Sequence, residues 1–312
     1  MPPQIRIGIS GWTYTPWRGV FYPPDLAQKR ELEFASRQLN SIEINGSFYS
    51  LQHVVSWRRW YDETPVDLVF PVKGGRFITH MKKLKDVETP LANFFAQGVL
   101  ALKEKLGPIL WQFPPNFGFD QERFEEFFKL LPTTTKQAAK LAREHQLKDE
   151  AKAWTKIDED RPMRHAVEVR HQSFATPEFI ALLRRYSVAI VIADTASKWP
   201  YFEEVTAADL VYIRLHGDAQ IYVSGYTDEA LDSWAARIKK WKKSRDVYVY
   251  FDNDVKVRSP LDAINLSRRL GVPCGEMGGS FDAVPRKLPN TGTSRDNRWS
   301  FQRPRKSRKK PS

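Results

Sequence analysis

Eight short β-rich segments recur along the 312 residues, at 5–12, 41–49, 67–74, 108–114, 165–171, 188–195, 210–217 and 246–253, and most show period-two alternation of apolar and polar residues. Helical patterning separates most of them. Thr176-Pro177-Glu178 reads as a cap, a proline at the first helical position and an acid in the first turn. Ser259-Pro260-Leu261-Asp262 follows the same grammar, with Gly271 closing that helix, and Thr227-Asp228-Glu229 opens a helix over 230–243. Strands that alternate with helices predict a parallel sheet, because a crossover helix returns the chain to start the next strand in the same direction. Eight such units predict a closed (β/α)8 TIM-like barrel, which routinely occupies about 250 residues as one domain. A doubly wound open sheet is the alternative. It usually carries a G-x-G-x-x-G turn after its first strand, and Gly8-Ile9-Ser10-Gly11-Trp12 does not match.

Two features depart from the repeat. The sixth connection, 196–209, is too short for a full helix. Residues 133–162, rich in Ala, Lys and Glu, read as a helical insertion before strand five, either a solvated excursion or a binding lid. After Val272 the periodicity stops. The expected division is therefore a barrel over 1–275 and a basic tail over 276–312, with too few apolar groups to offset the entropy of ordering. Charge follows this division. The net charge is +12, but residues 286–312 hold ten Lys/Arg and one acid, which leaves 39 bases against 36 acids in residues 1–285. The basicity is a property of the tail, and its alternatives are a solvated segment or a phosphate-binding one.

Composition excludes several classes. An apolar share of 41%, with 10 Trp, 19 Phe and 11 Tyr, supports a large core. The single cysteine, Cys274, excludes a disulfide scaffold and a cysteine-based zinc site, and fits a reducing compartment. No run approaches 18 apolar residues, and Met1-Pro2-Pro3-Gln4 lacks the features of a signal peptide, so the expected location is cytoplasmic, without a membrane partner.

Alternation divides each strand into a face toward the helices and a face toward the barrel lumen. Strand two sets Ile42 and Ile44 against Glu43 and Asn45. Strand five sets Val167 and Val169 against Glu168 and Arg170. Strand seven sets Val211, Ile213 and Leu215 against Tyr212, Arg214 and His216. Strand eight sets Val247, Val249 and Phe251 against Tyr248, Tyr250 and Asp252. Lys73, Gln112 and Asp194 sit near the C-terminal ends of strands three, four and six. The apolar faces must meet the helices, so the polar set converges on the C-terminal mouth, where barrels of this kind hold their chemistry. Charges in a lumen are costly unless paired or used. The ring is either a self-satisfied ion network or a site. Only His216 is a well-placed imidazole, and three interleaved cations disfavour a resident metal. No cofactor is implied, and the metal compatible with this set is a magnesium ion brought by a phosphorylated substrate. Aromatic residues crowd the same end: Trp12, Tyr14, Trp17, Phe21 and Tyr22 after strand one, Phe48 and Tyr49 after strand two, and Tyr222 and Tyr226 after strand seven. They either pack over the barrel or stack on a base or sugar ring.

Seven blocks in order resemble the YecE-like family, a group catalogued as a domain of unknown function: 8–26 (GISGWTYTPWRGVFYPPDL), 43–51 (EINGSFYSL), 70–84 (FPVKGGRFITHMKKL), 106–117 (LGPILWQFPPNF), 168–174 (EVRHQSF), 212–217 (YIRLHG) and 248–254 (YVYFDND). The resemblance spans about residues 5–270 apart from the insertion, and implies a (β/α)8 barrel. It implies no defined activity. A nucleic-acid-processing role like that of endonuclease IV has been suggested for such barrels, but that class uses a histidine-rich metal cluster that this lumen lacks. The sequence differs from the group's usual pattern at Gly46-Ser47, where a Ser/Asn-Thr pair is usual, and at Asp252, where Asn is usual.

Two functions are consistent with these features. The first is metal-independent acid–base chemistry on a small anionic, phosphate-bearing ligand. Glu168, His216 and Asp194 would be catalytic. Lys73, Arg170 and Arg214 would receive the anion, with Glu43, Asn45, Gln112, Asn253, Trp12 and Tyr14 completing the substrate-binding set. The second is a non-catalytic nucleic-acid-associated protein that uses the basic tail and the aromatic mouth.

Overall fold

The computed structural model describes residues 2–149 and 153–275; the expected basic tail, 276–312, lies outside the described residues. Eight parallel strands form one sheet: β1 (Ile5–Ser10), β2 (Ser41–Glu43), β3 (Phe70–Lys73), β4 (Leu106–Gln112), β5 (His165–Glu168), β6 (Ala189–Asp194), β7 (Leu210–Leu215) and β8 (Asp246–Phe251). Their hydrogen-bonded order is β2-β1-β8-β7-β6-β5-β4-β3. The ring closes between β2 and β3 through isolated bridges, Ser41 with Val69 and Ile44 with Val72, rather than through a continuous ladder. Ile44 N donates to Pro71 O at 2.8 Å and Lys73 N to Ile44 O at 3.0 Å. The barrel expected from the sequence is the fold observed. Most strands end two or more residues before the alternation does. The largest difference follows β2, where Gly46–Tyr49 coils into a helical turn (α2) instead of continuing the strand. Ser47 Oγ holds that turn by donating to Lys73 O at 2.7 Å.

The other described helices are α1 (Glu31–Gln38), α3 (Val54–Asp62), α4 (Glu88–Ala96), α5 (Gln121–Leu130), α6 (Thr135–Ala142), α7 (Pro177–Arg185), α8 (Asp228–Trp241) and α9 (Arg258–Leu270). Thr176 and Thr227 cap α7 and α8 as the sequence predicts, accepting from Phe179 N and Ala230 N. Gly271 ends α9 in the left-handed conformation, with φ of 64°. Ser259 is a correction. It lies inside the first turn of α9 rather than before it, and its hydroxyl bonds Asn253 and Asp254 instead of capping. The sixth connection has no helix, as its length requires. Among the described residues of 133–162 there is one eight-residue helix, α6, with irregular chain over most of the others. The segment closes on itself through a Thr134–Pro162 bridge and Thr135 N donating to Arg161 O. Trp154 N donates to Ala96 O at 2.7 Å and ties the segment to the end of α4.

Two buried shells follow from the alternation. Ile5, Ile7, Ile9, Ile42, Val72, Val167, Ile190, Ile213, Val249 and Phe251 belong to the shell between strands and helices. The lumen holds a separate cluster of Leu110, Ala166, Ala189, Val191, Ala193, Tyr212, Tyr248 and Tyr250. Tyr212 stacks on Tyr248 with centroids 6.3 Å apart and leans on Tyr250 at 5.3 Å. This plug fills the lumen below the C-terminal mouth and gives the charged residues above it a low-dielectric floor. No described helix is long and apolar enough to cross a membrane.

Candidate functional site

Above the tyrosine plug, the lumen-facing ends of five strands converge on one guanidinium. Arg214, from β7, is fully buried. Its Nη1 donates to Glu168 Oε2 at 2.6 Å, and its Nη2 lies 3.0 Å from both Glu43 Oε1 and Asp252 Oδ2 and 3.2 Å from Ser10 Oγ. Glu43 is further fixed by Tyr212, whose hydroxyl donates to Oε2 at 2.6 Å, and by Ser10 at 3.0 Å. Burial alone would raise the Glu168 carboxyl, but Arg170, Arg214, His216 and Lys73 override it and hold the group well below the usual carboxylate range. Asp252 is likewise held low against its burial, by Arg214 and then by His216 and Lys73.

Arg214 was expected to receive a substrate anion, and the structure corrects this. Both of its Nη atoms are engaged by carboxylates, and only its buried Nε lacks a partner. Three carboxylates gathered in one lumen would repel one another, and the guanidinium between them removes that repulsion. Arg170 is differently placed. Its Nε and Nη2 bond Glu168 Oε1 at 2.9 and 2.7 Å, and its guanidinium stacks 3.9 Å from the Trp199 ring centroid. Its side chain is 11% exposed, and its Nη1 has no partner among the described residues. Arg170 therefore stands at the rim.

His216 lies beside Asp252, with Nδ1 3.1 Å from Oδ2, and its Nε2 is 3.8 Å from Glu168 Oε1. Neither ring nitrogen makes an aligned hydrogen bond. Tyr222 covers the imidazole edge-on at 5.3 Å and Trp199 at 6.5 Å, so His216 is fully buried beneath aromatic residues. Lys73 ends β3 on the lumen side, paired with Leu110 of the plug, and its Nζ sits 4.5 Å over the Phe48 ring. Burial, then Arg214, lowers Lys73 to about 8. Gln112 pairs in register with Glu168 and shares its face, and no hydrogen bond engages its side-chain amide among the described residues.

Of the five other expected site residues, Asp194, Asn253 and Trp12 fall outside this cluster. Asp194 shares parity with Ile190 and Ile192, pairs with Leu215 in register, and so faces the helices; Tyr226 donates to its Oδ2 at 3.1 Å. Asn253 has the parity of Val249 and Phe251. Its amide is consumed by Ser224 O, Asp262 and Ser259, so it builds the wall. Trp12 packs edge-on against Trp60 at 5.4 Å, whereas the half-buried Tyr14, which tilts on Trp17 and donates to Ser10 O, stays at the mouth beside Asp254 and Asp252. Asn45 follows the end of β2, and its Oδ1 is buried without a partner.

Three contributors were not singled out from the sequence. Ser10 has lumen parity on β1, a signal present in the alternation with Ile5, Ile7 and Ile9. Asp254 stands two residues beyond Asp252. Burial and the Asp252 charge push it well above its ordinary value, and Ser259 donates to it at 2.6 Å. Trp199 lies in the helix-free sixth connection, where no periodicity marks it. The loops over this end also store backbone strain: Ala196, Ser197, Tyr222 and Val257 all have positive φ, the β-branched Val257 at 57°. Among the described residues, no three His, Cys, Asp or Glu side chains are grouped to hold a metal ion. A surface groove of about 380 Å³, lined within residues 84–88 and 120–130, shares no residue with the lumen cluster.

Comparison with known proteins matches this architecture. The crystal structure of a DUF72 family protein from Thermotoga maritima superimposes with a TM-score of 0.68 at 24% identity, covering 86% of this chain and 99% of that one. One from Enterococcus faecalis gives 0.67 at 17% identity, covering 88% and 98%. The UPF0759 protein YunF of Bacillus subtilis is 28% identical over 124 residues, 38% of this chain; the match spans 43% of that relative's length. The sequence model described as "Protein of unknown function DUF72" matches residues 6–287, and the chain belongs to that family.

Proposed function

We propose that this member of the DUF72 family is an acid–base enzyme acting on a small polar substrate at the C-terminal mouth of its barrel. The observation that carries the reading is the exposure of Asp252. Glu43 and Glu168 are sealed at 0% and 1%, whereas the Asp252 side chain keeps 17% of its surface open while touching Arg214 and His216 from behind. A carboxylate held ionised by a buried cation, reaching solvent on one side and an imidazole on the other, suits proton abstraction, with His216 receiving or returning the proton. Lys73, lowered to about 8, places a second titratable group at the mouth near neutral pH. Arg170 offers its outer donor to a hydroxyl or anionic group, and Gln112 a neutral amide. Glu43, Glu168 and Arg214 then act as the positioning frame.

The test is hydrogen exchange. The protein is incubated in deuterium oxide with a panel of neutral and phosphorylated sugars, and loss of carbon-bound proton signals is followed by NMR. Exchange should occur with at least one compound and fall by about 10²–10⁴-fold in Asp252→Asn. An unchanged rate in that variant, or no exchange with any compound, would refute the reading. The charge of residues 286–312 supports a separate property, contact with nucleic-acid phosphates through the tail.

A further inference from the structure

Two buried lysines contribute to the described part of the barrel, and they differ in one respect. Lys105, 4% exposed, donates from Nζ to Tyr61 O at 2.6 Å, Thr64 O at 2.8 Å and Thr64 Oγ1 at 3.2 Å. Those acceptors replace the water that burial removed, which a sheltered ammonium requires. Lys73, 8% exposed, has no such set. Among the described residues its Nζ makes no hydrogen bond and has no carboxylate oxygen within ion-pair distance; it has only the Phe48 ring face at 4.5 Å. It also points toward the mouth, from the last residue of β3.

We propose that Lys73 is a nucleophilic amine that condenses with an aldehyde or ketone substrate to form an imine. This rests on the acid–base reading above and narrows its substrate to a carbonyl compound. The free amine adds to the carbonyl carbon: a C–N bond forms, the C=O π pair moves to oxygen, and that oxygen takes the proton released from nitrogen. The nitrogen lone pair of the carbinolamine then expels the hydroxyl, which takes a proton from solvent at the open mouth and departs as water, leaving a protonated imine on Nζ. No oxidant or reductant is consumed.

The surroundings favour this chemistry. The groups acting on Nζ are Arg214, which disfavours the ammonium, and Asp252, Glu43 and Glu168, which favour a cation. His80, lowered to about 4 by burial and then by Lys73 itself, adds no charge at neutral pH. Lowering Lys73 to about 8 supplies free amine near neutrality. The iminium restores a positive charge facing three carboxylates and an aromatic ring, a preorganised field for the intermediate. An anionic group bound at the same point would instead add to the charge of those carboxylates.

The experiment uses the full chain with glycolaldehyde and sodium cyanoborohydride at pH 7, followed by peptide mapping by mass spectrometry. A lysine at about 8 is roughly one-tenth free amine at that pH, against less than a thousandth for an exposed lysine near 10.4, so Lys73 should be labelled on the order of 100-fold faster per site. Lys105 serves as the internal buried control and should stay unmodified. The adduct should be absent from Lys73→Met, whose thermal melt should match or exceed that of wild type. Labelling spread evenly over exposed lysines with Lys73 unmodified overturns the proposal, and the wild-type map alone decides this if the variant does not fold. If Lys73 stays unmodified while Asp252→Asn still abolishes exchange, the imine falls and the acid–base reading stands. If that variant exchanges like wild type, the acid–base reading falls too.

Discussion

Replacing Arg214 with methionine should convert a barrel stabilised by rising pH into one destabilised by it. The substitution keeps the chain's volume roughly in place but leaves Glu43, Glu168 and Asp252 around an uncharged side chain. Two of these carboxylates are essentially sealed, and the third is 17% exposed, so water can relieve little of the repulsion. Removing one partner of a buried ion pair costs about 3–5 kcal/mol. Here one cation serves three anions, so the upper part of that range is expected at pH 7. For a domain of this size, about 2–4 °C per kcal/mol converts about 4–5 kcal/mol to a fall in melting temperature of roughly 8–20 °C. The pH dependence is the sharper test. In the wild type, Glu168 and Asp252 are held below their unfolded values, so their contribution is present above about pH 4 and is lost as pH falls through the folded values. In Arg214→Met, Asp252 loses the first of the cations that offset its burial and rises above its unfolded value, whereas Glu168 keeps Arg170. The Asp252 contribution is then fully present below about pH 4 and is lost as pH increases. Thermal melts from pH 2.5 to 8 should show wild-type stability falling below about pH 4 and the variant's falling as pH rises above it. A loss under about 1 kcal/mol, or a variant whose stability rises with pH as in wild type, would show that Arg214 does not hold the three carboxylates together.

Two further outcomes follow from the same geometry and from the charge distribution. A Cβ added at Gly8 would lie 1.9 Å from Ser41 O, so Gly8→Ala cannot keep the β1–β2 pairing; a loss above about 3 kcal/mol in chemical denaturation is expected, and near-wild-type stability would contradict this register. Deleting residues 276–312 should abolish most salt-dependent retention on immobilised duplex DNA while leaving the hydrogen-exchange activity unchanged; retention that survives the deletion would assign any nucleic-acid contact to the barrel.

The lumen residues were legible where a strand alternates cleanly. On strands β5, β7 and β8, valine, isoleucine and phenylalanine occupy every second position and must pack against helices, so Glu168, Arg214 and Asp252 have only the lumen left to face. The same rule placed Glu43 and would have found Ser10, while Lys73 was placed by its nearness to the end of its strand. It failed for Asp194, because β6 is apolar on both faces. Ala189, Val191 and Ala193 look inward and Ile190 and Ile192 outward, and a strand buried on both sides carries no parity signal of its own. Asn253 was misplaced for a different reason: its parity with Val249 and Phe251 marks it as helix-facing, but nearness to the mouth suggested a ligand contact.

Local sequence fixes periodicity and caps, since both act within a few residues, and with them the strand count, the faces of the alternating strands and the end of the barrel that gathers charge. The allocation of partners within that charged ring belongs to the closed barrel. Arg214 meets Glu43, Glu168 and Asp252 because ring closure and strand register bring residues from β2 and β5 and the one just beyond β8 within about 3 Å of one guanidinium. Hydrogen bonds are lost over a fraction of an ångström, so no spacing along the chain could show that Arg214 is consumed or that, among the described residues, Arg170 keeps an outer donor and Lys73 has no acceptor.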